Sequence, residues 1–429
     1  MKVRSLAVAA AAATLAVCGP ANAVIFNLHD TGGAAEGTQA RLGFDIAAAY
    51  WSSVLTDNVT VNLDIGFRSL GPGVLGSTGS SSGSLLVQNL YGALAFDATS
   101  ALDVQAVTNL TPLTPSAEFG GPILAVDAIT SAYLDPATRT GIDTSHTMFD
   151  NDGSANNVVL DVNTANLKAL GFTTDDEGND ISHVTDGSIT FSSDFGFDFN
   201  PTDGISGGTY DFLGVAIHEI GHALGFVSGV DTYDLLGEPN SPLYGPAAPG
   251  LTYAQLFELG AFGPSDIGVY RVFSPLDMFR YSSAGLDLSV GADAFFSIDG
   301  GASQLFGDSR FSTGAYNGDG NQASHWIDNE YATRTDPACA NVVTAPIGIM
   351  NPTIGNCERG SVTALDLAAF DAIGWDVNFD VLRNARYAAS TAQTYLAFVP
   401  EPSTWAMMIL GMGMIGGLAR RRRSVGLAA

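Results

Sequence analysis

His218, Glu219 and His222 form an HExxH run that continues as Ala223-Leu224-Gly225-Phe226, and these residues could carry chemistry together. On a helix the side chains of residues i and i+4 lie one above the other, so His218 and His222 can reach a single cation. Glu219 then stands where it would act on a water at the metal instead of ligating it, which is the layout of a zinc hydrolase. The preceding run from Thr209 to Ile217 is apolar enough to bury the helix. A plain core helix with two hydrogen-bonded histidines is the competing reading, and it leaves Gly225 and the partners further along unexplained.

A catalytic zinc takes three protein ligands and keeps one position for water, so a third ligand is needed. The chain has six histidines. A His or Asp three residues past Gly225 would complete the motif locally, but Ser228 occupies that place. Asp231 lies just beyond in an unusual geometry, and Glu258 would serve if a downstream helical carboxylate were used. Gly225 argues against Glu258, because a glycine there ends the helix tightly and turns the chain back. His325, in the Gly/Asn-rich stretch 318–326, is the better candidate. His29, His146 and His183 stand in unrelated contexts.

The run ending Ala223-Leu224-Gly225-Phe226, a long insertion, then Ser324-His325-Trp326 and a downstream Met350 together resemble the leishmanolysin-type branch of the metzincin zinc proteases. In that branch an inserted segment displaces the third histidine. The resemblance implies Zn2+ held by His218, His222 and His325, Glu219 as general base, and Met350 in a turn beneath the metal. It covers roughly residues 186 to 376 by motif, and the part before Asp186 only in element order. It also implies a zincin-like catalytic domain that runs from 24 to 226, an insertion over 227–324, and a C-terminal subdomain over 325–390.

The chain departs from the branch in having few cysteines. Cys18 falls in a leader, which leaves Cys339 and Cys357 as a pair in an oxidising compartment. Their disulfide would bracket Met350, and closing 17 intervening residues contributes roughly 3 kcal/mol in the chain-entropy picture. In the insertion, Arg280 and Tyr281 could line the cleft and steady an oxyanion, although an Asp277–Arg280 ion pair is at least as good a reading.

The elements that must position these residues read as α+β, a mixed sheet packed on two long helices. Leu42, Ile46, Ala47, Tyr50, Trp51 and Val54 recur at helical spacing between Thr38 and Leu55. Val59 to Phe67 alternates as a strand, and helices follow over 85–96 and 100–109. The Ser/Gly-rich stretch 76–83 reads as a loop without assignable structure. A strand over 158–162, a helix over 165–170 and a strand over 186–193 lead to the HExxH helix, and that last strand is a candidate edge for pairing an extended peptide. Residues 361–375 form a helix that stops at Gly374. Phe149-Asp150-Asn151-Asp152-Gly153 is a turn that could also take Ca2+.

The ends are targeting segments. Residues 1–23 have a basic start, a short apolar run and an Ala-x-Ala site, which is a secretory signal peptide read by the Sec machinery. Residues 399–423 carry Pro400-Glu401-Pro402, an apolar span and four arginines, and they resemble the PEP C-terminal sorting signal of Gram-negative bacteria, read by an exosortase-type enzyme. A plain C-terminal transmembrane anchor is the alternative. Either places the folded part outside the cytoplasm, in the periplasm, on the outer surface or in the extracellular matrix, with only transient membrane association if the span is removed. The formal net charge of −27 excludes nucleic acid as a partner.

The sequence therefore reads as an exported, surface-sorted zinc endopeptidase acting on protein or peptide substrates. Its rivals are a catalytically silent surface or matrix protein of the same fold, and a zinc hydrolase of a non-peptide bond.

Overall fold

Each half of the chain supplies one long buried helix, and the sheet lies beside them. A computed structural model describes residues 23–71, 73–116, 121–128, 148–150, 153, 155–237, 271–316, 318–328, 333–336, 339–343 and 346–399. Strand β1 (Ile25–Gly32) leads into helix α1 (Gln39–Val54), whose first turn is capped by the Thr38 hydroxyl accepting from the Arg41 amide. The apolar positions expected on one face of α1 are buried, apart from Leu42, which is 42% exposed.

Strands β2 (Thr60–Arg68), β3 (Gly76–Ser80) and β4 (Ser82–Leu86) follow, then helices α2 (Val87–Asp97) and α3 (Ala101–Thr108). After β5 (Val159–Asn163) and α4 (Thr164–Ala169) comes β6 (Gly187–Ser192). The main sheet has the order β1-β2-β6-β3, with β1, β2 and β6 parallel and β3 antiparallel. Two expectations are corrected here. The Ser/Gly-rich stretch is not a loop but two strands, because backbone pairing to β6 and β5 needs no large side chains. The edges of the sheet are accordingly β1 and β3, and the expected edge strand, β6, is interior.

The HExxH helix α5 (Phe212–Ala223) packs on α1 so closely that a Cβ at Gly43 would lie 2.3 Å from the Phe212 ring. The Trp51 indole donates to the Ile217 carbonyl at 3.1 Å. Phe44, Phe191 and Phe212 fill the space between sheet and helices. Helix α6 (Val230–Gly237) follows α5, and residues 238–270, with the alternative ligand Glu258, lie outside the described residues. Helix α7 (Ala364–Ala372) carries a capping box of Thr363 and Asp366, and α8 (Thr391–Phe398) closes the described chain. Neither β1 nor α8 was expected from the sequence. Most of the acidic turn at 150–152 falls outside the described residues, so its reading as a calcium loop remains an expectation.

Candidate metal centre

Helix α5 starts where Asp211 accepts from the Gly214 amide at 3.1 Å. The same buried carboxylate accepts from the Gly360 amide at 3.0 Å and the Thr391 hydroxyl at 2.5 Å, so the cap also ties the helix to the C-terminal segment. At the other end Gly225 takes a positive φ of 118°, a conformation a side chain would strain. The Phe226 amide then donates back to Gly221 at 3.1 Å, and the Phe226 carbonyl comes within 2.7 Å of His222 Nδ1. Asn163 covers the exposed helix end by donating to the His222 and Ala223 carbonyls.

His218, His222 and His325 converge into one cluster that could hold a metal ion, their nearest ring nitrogens within 4.8 Å of one another. Nε2 of His222 is 3.0 Å from Nε2 of His218 and 3.1 Å from Nε2 of His325. The opposite nitrogens all face carbonyls: Nδ1 of His218 meets Ile349 at 2.8 Å, that of His222 meets Phe226, and that of His325 meets Gln322 at 3.2 Å. A carbonyl only accepts, so each Nδ1 carries the proton and each Nε2 presents a lone pair. Burial, then the charge of His218, pushes His325 down to about 3, and the same two causes hold His222 well below the usual range. The Nε2 atoms of the three rings thus face one another, and a cation among them would take their lone pairs.

Glu219 lies beside this cluster, 6% exposed. Its Oε2 accepts from the Thr78 hydroxyl at 2.7 Å, and the same hydroxyl lies 3.0 Å from the Glu219 carbonyl. Burial pushes the Glu219 carboxyl up, opposed by His218 and Thr78. A Cβ at Gly76 would stand 2.7 Å from Glu219 Oε1, so β3 approaches this closely only because that position is glycine. The three histidines, Glu219 and β3 line a cleft of about 720 Å³.

Beneath it, Met350 is fully buried, and its sulfur would be 2.6 Å from a Cβ at Gly221. The Asp366 carboxylate accepts from the Ile349 amide at 2.9 Å, the Met350 amide at 3.3 Å and the Trp326 indole at 2.8 Å. One helix-capping residue thus fixes the methionine turn and the neighbour of His325. In the sequence Asp366 is one residue of a helix and Thr78 one of a Ser/Gly-rich run, and no local pattern assigns either a role.

Arg280 and Tyr281 stand apart from the histidine cluster. Both are buried and neither is among the residues lining the cleft. Arg280 donates to the Ser312 carbonyl at 2.7 Å and lies 5.0 Å over the Phe311 ring, while Tyr281 donates to the Asn109 carbonyl at 3.3 Å. Asp231 is not a ligand in the cluster either; it bonds the chain just ahead of His325. Cys357 is disulfide-bonded, and the side chain of Cys339 lies outside the described residues.

Residues 398–423 match the PEP-CTERM protein-sorting motif. That motif indicates an exported, surface-sorted bacterial protein processed by an exosortase. No curated protein and no solved structure matches the chain. Among the described residues no helix is long and apolar enough to cross a membrane.

Proposed function

We propose that this surface-sorted protein is a zinc-dependent endopeptidase of the leishmanolysin-like kind, with His218, His222 and His325 as ligands and Glu219 as general base. The observation that carries the reading is the set of three Nε2 lone pairs, each fixed by a carbonyl behind it, beside a buried carboxylate. Three imidazoles with an open side suit zinc better than the oxygen-preferring cations. When bound, zinc supplies Lewis acidity toward water and a scissile carbonyl.

The protein groups do the rest. Glu219, raised by burial and held by Thr78, accepts a proton from the attacking water and passes it to the leaving amine. Strand β3 has a sheet neighbour on one side only, so its other edge can pair with an extended peptide across the cleft. Met350 supports the helix under the ligands. A Cys339–Cys357 bridge would restrain the turn that carries Met350, and it belongs to this proposal together with the division at 226 and 324.

The test is cleavage of a diverse peptide library by the zinc-loaded protein and by Glu219→Gln. Cleavage by the parent, reduced at least about 100-fold in the variant, is expected, since a positioned acid–base group contributes on that order or more. A parent that holds zinc and cleaves no peptide would exclude the peptidase reading.

A further inference from the structure

The third histidine is far from the other two in sequence, so something must place it. The Ala323 amide donates to Asp231 Oδ1 at 2.5 Å, and the Ser324 amide donates to Oδ2 at 3.1 Å. The Ser324 hydroxyl also donates to Asp231 Oδ2, and its oxygen accepts from the Ser228 amide at 2.8 Å. Asp231 is in the first turn of α6, directly after the turn that ends the HExxH helix. One side chain therefore fastens the residues just before His325 to the segment just after His222.

The base of this fastening is itself held. Asp277 accepts from the Ser228 hydroxyl at 2.5 Å and the Gly229 amide at 2.8 Å. A Cβ at Gly229 would sit 2.1 Å from the Val272 carbonyl, so the turn lies flat on the backbone there. Beyond the ligand, the Ser312 amide donates to the His325 carbonyl at 2.9 Å, and the Trp326 amide donates to the Met350 carbonyl at 3.0 Å. These later bonds hold the exit of the loop; Asp231 and Ser228 hold its entry from the segment after the metal helix, and Arg280 donates to the Ala323 carbonyl at 3.4 Å from the other side.

We propose that Asp231 is the positioning residue for the third metal ligand, setting His325 in place before the metal arrives. It acts through the backbone of residues 323 and 324 and touches no reacting atom. The inference rests on the three-histidine metal site, not on which bond is cleaved. An asparagine at 231 would turn an amide NH2 toward one of the two backbone donors, which breaks the fastening with little change in size.

The test is zinc affinity of the full-length protein by competition with a chromophoric chelator, in a double-mutant cycle of Asp231→Asn and His325→Ala. Asp231→Asn is expected to weaken zinc about 10- to 100-fold, the usual effect of removing a group that orients a ligand. In the His325→Ala background it should change affinity no further, whereas a general structural role would act in both backgrounds. Ser324→Ala, which leaves both backbone bonds in place, should retain affinity within about tenfold of the parent.

Hydrogen exchange of the Ala323 and Ser324 amides in the metal-free parent is a second readout that needs no variant, and slow exchange is expected. Unchanged affinity in Asp231→Asn, an equal loss in both backgrounds, or amides exchanging as freely as an open loop would each overturn the proposal. Zinc binding unaffected by His325→Ala would overturn it together with the metal-site reading.

Discussion

Among the described residues the hydroxyl on the Glu219 carboxylate is that of Thr78, and that contact sets where its second oxygen points. Losing it would leave the carboxylate free to rotate while the cleft keeps its shape. Thr78→Val should therefore lower kcat about tenfold, roughly 1.4 kcal/mol, with KM unchanged, and Thr78→Ser should restore most of it. Steady-state kinetics on a cleaved peptide checks this, and a rise in KM at constant kcat would contradict it. His218, Glu219, His222 and Gly225 were legible because helical spacing is a local code. His325 was reached by comparing the few histidines with their contexts. Thr78 was not legible, since a Ser/Gly-rich run has no periodicity and its partner stands far along the chain. Asp231 is a carboxylate near the motif, and spacing does not distinguish a ligand from a group that holds one.

At the scale of elements, α2, α3 and α7 bring their ends to the segment that leaves α1, and acidic groups gather there. The Ser100 hydroxyl donates to Asp371 Oδ2 at 2.9 Å, and the Asp376 amide donates to Asp57 Oδ2 at 3.1 Å. Thr99 donates to the Asp376 carboxylate. Burial, reinforced by Asp376, pushes Asp57 up to about 8, and burial with Asp103 does the same for Asp371. Asp97 is raised to about 6 by burial and by Asp376.

A carboxyl whose folded pKa lies above the unfolded value keeps a proton that the unfolded chain has lost. Its contribution is full below about pH 4 and fades as pH rises through about 8. The protein should accordingly lose stability between pH 5 and 8. Asp57→Asn should flatten that slope when denaturation midpoints are compared across the range, and identical slopes would contradict this account. The helices at this junction were readable from apolar spacing and Gly stops. Their meeting was not, because the sequence pattern shows which face is buried and not what it is buried against. Strand β3 was missed for a related reason: its pairing is made by backbone, and its smallness serves the close approach to Glu219.

For the whole molecule, the sorting motif puts the site outside the cytoplasm. The three-histidine cluster joins segments 103 residues apart in the chain, with Asp366 and Asp231 fastening the far segment on two sides. The measurement that tests the central claim most directly is the metal content of the purified parent and of His325→Ala, by elemental analysis after exchange into metal-free buffer. One zinc per chain in the parent and loss of it in the variant is the expected result. Full zinc retained by His325→Ala would contradict the claim that these three histidines form one site.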